Sequence, residues 1–144
     1  MAILNYTTSI KTEKTVSEIQ KRLAAAKAQA VLSEYDDNGI TVAMSFKIRT
    51  STGTATFRLP ANIEGVYQAL KRNRKVPNRL KTYEQASRVS WRILKDWIEA
   101  QLAIVEAEMV DMVEVFLPYV QDESGQTLYE AIKSGGFKQI TMQS

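Results

Sequence analysis

The stretch TYEQASRVSWRILKDWIEAQLAIVEAEMVDMVEVFL, from Thr82 to Leu117, carries the longest uninterrupted helical pattern in the chain. Its apolar residues recur every three or four positions, a spacing that places them along one side of an α-helix. Thr82 and Gln85 have the spacing of a capping box at its start, and Pro118 cannot continue the helix. An unbroken helix of this length would extend about 50 Å. Because that is long for a chain of 144 residues, we expect either a kink or an oligomer interface along it.

A concentrated positive segment leads directly into this helix. Lys or Arg occupies six of the eleven positions from 71 to 81, and no acidic residue lies between Glu64 and Glu84. Pro77 interrupts the helical pattern, so at least part of the segment forms a loop. Its cations, which together define the basic segment, are Lys71, Arg72, Arg74, Lys75, Arg79 and Lys81. Such a cluster can neutralise several phosphates of a polyanion, with an affinity that falls as salt rises. The alternative is a solvated surface loop.

The first turns of the long helix extend this positive charge through Arg88 and Arg92. Trp91 lies between them, where it could stack on a base or fill a partner's pocket, although a position in the core is the favoured interpretation. Acidic residues dominate the second half of the helix, an order that opposes the helix macrodipole. Antiparallel pairing of two copies would place basic halves against acidic halves. Salt bridges within one chain are the alternative.

Alternation of apolar and polar residues upstream predicts an antiparallel meander of three strands, Ala30–Tyr35, Ile40–Ile48 and Thr54–Leu59. Asp36-Asp37-Asn38-Gly39 joins the first two, since Asn-Gly tolerates the two consecutive positive φ angles of a tight hairpin. The β-prone run Ile3–Ile10 predicts an extra N-terminal strand.

Three further helices have cap signals at their starts. They are Val16–Ala28 after the pair Thr15 and Glu18, Ile63–Leu70 after Asn62, and a short helix that follows the pair Thr127 and Glu130 and ends at Gly135-Gly136.

The combined pattern predicts an α+β fold, with an N-terminal helix, a three-stranded antiparallel meander, and then helices that include one long C-terminal helix. Residues 1–144 form a single domain. We expect residues 1–60 to be mostly sheet with one helix, residues 61–135 to be helical, and residues 136–144 to form a flexible tail.

Composition excludes several classes of chemistry. The chain has neither cysteine nor histidine, so thiolate metal sites, thiol catalysis and Ser-His-Asp triads cannot be built. Asp96, Glu99 and Glu106 share roughly one helix face, but an acidic surface is the simpler interpretation than a metal site. We therefore expect no enzyme activity, no cofactor and no metal. No stretch has the length and apolarity of a membrane span or a signal peptide, which predicts an intracellular protein.

Two resemblances bear on function. Residues 16–72 follow the order helix, three strands, helix, which resembles the double-stranded-RNA-binding domain in topology, although the second helix opens with Asn62-Ile63-Glu64-Gly65 rather than with clustered lysines. The stretches FRLPANIEGVYQAL (57–70), EQASRVSWRILKDWIEAQLAIVEAEMV (84–110) and VFLPYV (115–120) resemble a widespread family of small phage and prophage proteins. The opening MAILNYTTSI (1–10) and the stretch SEYDDNGITVAMSF (33–46) fit it too, so the likeness covers most of the chain.

The second resemblance implies a phage or mobile-element protein that acts in the cytoplasm of a bacterial host. Small accessory proteins of that kind often bind rather than catalyse, and they include anti-CRISPR and other counter-defence proteins. We therefore expect a non-catalytic, homo-oligomeric protein that binds a nucleic acid, or a host protein that handles nucleic acid, through the basic segment. One alternative is an oligomeric sponge for cyclic-nucleotide signals that uses arginines with Tyr67 and Trp91. Another is a structural oligomer subunit.

Overall fold

The computed structural model describes residues 2–135 and confirms the α+β fold. Its strands form one antiparallel sheet in the order β1-β2-β3, which is the predicted meander. The predicted tail, residues 136–144, lies outside the described residues. The strands are β1 (Ala30–Tyr35), β2 (Thr41–Thr50) and β3 (Gly53–Pro60). The helices are α1 (Thr12–Ala25), α2 (Ile63–Arg72), α3 (Tyr83–Glu106), α4 (Met112–Val115) and α5 (Leu128–Gly135), with short 3₁₀ turns at Asn78–Leu80 and Leu117–Tyr119.

One face of the sheet packs against α1 and α3 to form the main core. Phe46 lies opposite Val31 of β1 and Phe57 of β3, and directly paired residues share a face of the sheet. The rings of Phe46 and Phe57 stack with their centroids 5.1 Å apart. The two helices contribute the buried side chains Val16, Ile19, Leu23, Trp91, Ile98 and Leu102.

A second, smaller core lies at the other end of the domain, where α2 meets the start of α3. Its buried members are Ile63 and Leu70 of α2, Val76 of the basic segment and Ala86 of α3. Ile3, from the N-terminal segment, packs against them. This second core therefore ties the basic segment to the two helices that flank it.

The turn between β1 and β2 is one residue longer than the Asn-Gly signal predicts. The Asp36 amide donates to the Ile40 carbonyl oxygen at 2.9 Å, which leaves three residues in the loop. Only Gly39 has a positive φ in this turn, +79°, so the expected pair of positive φ angles is wrong. The Asp36 carboxylate explains the difference, because it accepts hydrogen bonds from the Asn38 and Ile40 amides, each at 2.9 Å, and holds the wider loop.

The long helix ends at Glu106 rather than Leu117, so of the two expected outcomes it is the interruption of the helix that occurs. Glu108 adopts a left-handed conformation with φ +60°, and its amide bonds to the Val105 carbonyl while the Met109 amide bonds to the Ile104 carbonyl. These are the two bonds of a Schellman motif, here formed without the usual glycine. The Asp111 side chain then accepts from the Glu114 amide at 2.8 Å and starts α4 as a separate helix.

The predicted N-terminal strand is absent from the described residues 2–10, which form a turn. Asn5 has a φ of +65°, which bends the chain, and the Tyr6 amide bonds to the Ile3 carbonyl. The side-chain amide of Gln85 donates to the Tyr6 and Thr8 carbonyls, both at 2.9 Å. In a sheet, these two carbonyls would accept hydrogen bonds from a neighbouring strand. Here they accept them from a side chain of α3.

The predicted capping box of Thr15 and Glu18 is also wrong. Helix α1 begins at Thr12, so Thr15 already lies inside the helix, where it is fully buried. Glu18 instead accepts a hydrogen bond from Arg92. The spacing is that of a cap, but the helix begins three residues before Thr15, where the Thr12 hydroxyl forms a hydrogen bond with the Ser87 hydroxyl of α3 at 2.9 Å.

The other two threonine caps form. Thr82 accepts from the Gln85 amide at 3.1 Å, but only half of that box exists because the Gln85 side chain turns to the N-terminal segment. Thr127 and Glu130 form the complete reciprocal box, with the Thr127 amide donating to the Glu130 carboxylate at 2.9 Å and the Glu130 amide donating to the Thr127 hydroxyl at 3.2 Å.

Candidate polyanion interface

The structure brings the six cations of the basic segment together on one connection between α2 and α3. Lys71 and Arg72 form the last turn of α2, where positive charge also complements the helix dipole. Arg79 lies in the 3₁₀ turn, and Lys81 precedes the N-cap of α3. Five of the six side chains are exposed, and Lys81 is half-buried.

Contacts within the chain fix the backbone of the basic segment. Val76 is only 2% exposed and inserts into the second core. The Asn73 side chain accepts from the Lys75 amide at 2.9 Å, and its carbonyl accepts from the Val76 amide at 3.2 Å. The exposed cations on either side of Val76 are therefore carried by a loop whose centre is anchored. Val76 was not among the predicted site residues, and the signal for it was an apolar residue in the middle of a charged run.

The cations of the basic segment have no carboxylate partner among residues 2–135, where every salt bridge lies elsewhere. The acids nearest to the segment in sequence are already engaged, since Glu64 accepts from Gln68 at 2.8 Å and Glu84 accepts from Arg88 at 2.7 Å. Lys71 contacts an aromatic ring instead, with its Nζ 5.0 Å from the centroid of Tyr67. The segment is thus a patch of uncompensated positive charge.

Arg88 and Arg92, predicted to extend this patch, are held by the chain itself. Arg88 pairs with Glu84 one turn earlier and also donates to Gln85. Arg92 pairs with Glu18 of α1 at 2.9 Å, and its side chain is only 17% exposed. The reversed charge order of α3 is therefore accommodated by salt bridges within one chain, including a contact between Lys95 and Glu99.

Trp91 belongs to the core and not to an exposed surface. Its side chain is completely buried in the main core, and its indole N–H donates to the Thr41 carbonyl oxygen at 2.9 Å. The inclusion of Trp91 in the binding surface is thus corrected, and the core interpretation is confirmed. Arg92, the next residue, lies about 100° further around the helix and therefore reaches Glu18 of α1 instead.

The wide apolar stripe of α3 is explained within one chain. The helix packs against α1, α2 and the sheet at once, and its C-terminal half also contacts the segment that follows it. Trp97, for example, makes edge-to-face contacts with Phe116 and Tyr119 at centroid distances of 5.5 and 5.6 Å. The stripe that favoured an oligomer therefore requires no second subunit.

The carboxylates of α3 do not form a metal site. Asp96 accepts from the Asn5 side chain at 2.9 Å, and Glu99 contacts Lys95. Across residues 2–135 no group of three or more potential metal ligands converges. In the same part of the chain, no helix has the length and apolarity needed to cross a bilayer.

Comparisons with protein-family models, with curated proteins and with solved structures each found no match. The geometry and charge of the basic segment are therefore the main indications of function.

Proposed function

We propose that this protein is a non-catalytic binding protein whose basic segment contacts the phosphates of a nucleic acid. The observation that supports the proposal is an anchored loop with five exposed cations that have no carboxylate partner in the described chain. A paired cation must give up its carboxylate before it can bind a phosphate. Four of the five give up only solvent and condensed anions, while Lys71 also lies over the Tyr67 ring, and release of the counterions of the nucleic acid then drives binding.

The biological setting that we propose is counter-defence by a phage protein inside a bacterial host. Its support is the resemblance of the sequence to small phage and prophage proteins. In that setting the protein would act like an anti-CRISPR protein, either on nucleic acid directly or on a host protein that handles nucleic acid. Direct contact with nucleic acid is the better supported of the two, because the exposed charge is entirely positive along the basic segment.

A sponge for cyclic nucleotides has less support from the same region. Such a pocket needs aromatic faces beside its arginines. Trp91 is buried, and the ring of Tyr67 is half-buried and faces the Lys71 ammonium.

Replacing three exposed cations tests the proposal. The slope of log affinity against log salt is negative. In the variant Arg74→Ala, Lys75→Ala, Arg79→Ala its magnitude should fall by about 2.7, because each lost phosphate contact removes about 0.9. At about 0.1 M salt, affinity for nucleic acid should fall by about two to three orders of magnitude. Fluorescence anisotropy with a labelled DNA duplex over a salt series provides both quantities.

A matched control removes the same charge elsewhere. Lys21, Lys47 and Lys133 are exposed and lie outside the basic segment. Their triple alanine variant has the same net charge as the first variant, so it should keep most of the affinity and nearly all of the salt slope. Equal losses in both variants, or no loss in the first, would show that the basic segment is not the binding surface.

A further inference from the structure

We infer that the nucleic acid is double-stranded and is bound through its backbone, independently of base sequence. This inference rests on the proposed function and concerns the same site. It follows from how the aromatic and amide side chains around the basic segment are used, and from the number of cations that remain exposed.

The aromatic rings beside the basic segment are occupied within the chain. Tyr67 and Tyr83 are half-buried and pack edge to face, with their centroids 5.9 Å apart and their planes at 78°. Both rings pack on the second core, and the Lys71 ammonium lies over Tyr67. Proteins that hold single strands stack successive bases on open aromatic faces. Here those faces already have partners, so unpaired bases gain little at this surface.

Three amide side chains around the basic segment are engaged, whereas Asn78 is exposed on the short 3₁₀ turn. Asn62 caps α2 by accepting from the Gly65 amide at 2.9 Å, and Asn73 accepts from the Lys75 amide at the same distance. Gln85 donates to two carbonyls of the N-terminal segment. Discrimination of bases in the major groove relies on such amides and on arginines carried by an inserted helix or ribbon. The arginines of the basic segment instead lie on a helix end, a loop and one 3₁₀ turn, which suits phosphate contacts.

The remaining interaction is charge against charge, and it favours the polymer with the greater phosphate density. The slope of log affinity against log salt is about −0.9 per phosphate contact on duplex DNA and about −0.7 on a single strand. Five contacts, one for each exposed cation, give slopes of about −4.5 and about −3.5. If the two affinities are equal at about 1 M salt, the duplex is bound about tenfold more tightly at about 0.1 M.

The test compares a short DNA duplex with each of its separated strands, and repeats the comparison with a second duplex of unrelated sequence. We expect about a tenfold preference for each duplex over its strands and similar affinities for the two duplexes. The triple variant Arg74→Ala, Lys75→Ala, Arg79→Ala retains two of the five contacts, so its duplex preference should shrink to about 2.5-fold.

The outcomes separate this inference from the proposed function. Tighter binding of single strands, or a difference of more than about tenfold between the two duplexes, would overturn the inference while leaving the proposed function in place. A duplex preference that the triple variant leaves unchanged would also overturn it. Absence of binding to every probe at low salt would overturn the proposed function itself.

Discussion

Two groups of cations lie close together in sequence but differ in whether they form salt bridges within the chain. Those of the basic segment, residues 71–81, have no carboxylate partner in the described chain, and five of the six are exposed. Arg88 lies only seven residues after Lys81, but it forms a salt bridge with a carboxylate of α3. Arg92 forms one with a carboxylate of α1. Two neighbouring groups of cations in the sequence thus become a surface patch and a set of structural salt bridges.

The division follows from what each cation can reach. On α3, Glu84 lies four residues before Arg88, where helical geometry makes them neighbours, and α1 brings Glu18 to Arg92. The basic segment is not helical through its length, and its neighbouring acids bond to other side chains. A cation is therefore available to a ligand where the fold brings no acid beside it. The density of cations along the sequence does not show which of them will meet an acid.

The largest expected effect is on stability and concerns Trp91, which is part of the structural core and not of the surface patch. Trp91→Ala should lower the free energy of unfolding by about 3–5 kcal/mol, since it removes a large buried side chain from the main core. It should also leave the Thr41 carbonyl without its donor. Urea denaturation followed by far-UV circular dichroism measures the loss.

Trp91→Phe separates packing from hydrogen bonding. It keeps most of the apolar contact and should cost about 1–3 kcal/mol, mainly for the unsatisfied Thr41 carbonyl. Both variants should bind nucleic acid with unchanged affinity under conditions where they are folded. A folded Trp91→Phe variant with weakened binding would place Trp91 at the interface, contrary to the structure.

Arg92 and Arg79 provide a matched pair across the division. Arg92→Ala breaks a partly buried salt bridge and should cost about 1–2 kcal/mol of stability, a value between those of exposed and buried pairs. Arg79→Ala should change stability by less than about 0.5 kcal/mol, because it removes an exposed side chain. Thermal unfolding and DNA binding of both variants check the contrast.

For nucleic-acid binding, the larger effect is expected from Arg79→Ala and not from Arg92→Ala. Arg79→Ala should reduce the salt slope by about 0.9, whereas Arg92→Ala should leave it nearly unchanged. If both variants lose the same affinity, the two groups of cations act as one surface and the division is wrong.

Most of the fold could be predicted from the sequence because its signals were local. Period-two alternation in residues 40–48 and 54–59 and the Asn62 cap identified two strands, Thr41–Thr50 and Gly53–Pro60 in the structure, and a helix start that the structure contains. The errors arose where a non-local contact decided the outcome. Residues 3–10 are β-prone but contact α3 through Gln85. Helix α3 ends at Glu106, and the left-handed residue that follows it is Glu108, whereas glycine or asparagine usually signals such an end.

The candidate site could be predicted in part for the same reason. The cations at 71–81 lie within eleven residues that contain no acid, and no distant acid pairs with them within the described residues. Arg88 and Arg92 looked equivalent because the position of Glu18 beside α3 depends on how α1 packs. The anchoring of the loop by Val76 was likewise a tertiary contact, since it requires α2 and α3 to meet.

The smallest expected effect concerns the acids of the two T-x-x-E pairs, Glu18 and Glu130. Like the two groups of cations, these acids differ in what they contact. Glu18 pairs with a cation, whereas the Glu130 carboxylate accepts from the Thr127 amide, and this hydrogen bond holds the pKa of Glu130 below its ordinary value of 4.5. Because the pKa is lower in the folded state, the contribution to stability is complete above about pH 4.5 and disappears as the pH falls through the lowered pKa. The Thr127 amide-proton shift, followed by NMR, should titrate with a midpoint below 4.5, and Glu130→Gln should abolish that titration. A midpoint at or above 4.5 would mean that the reciprocal cap at the start of α5 does not persist in solution.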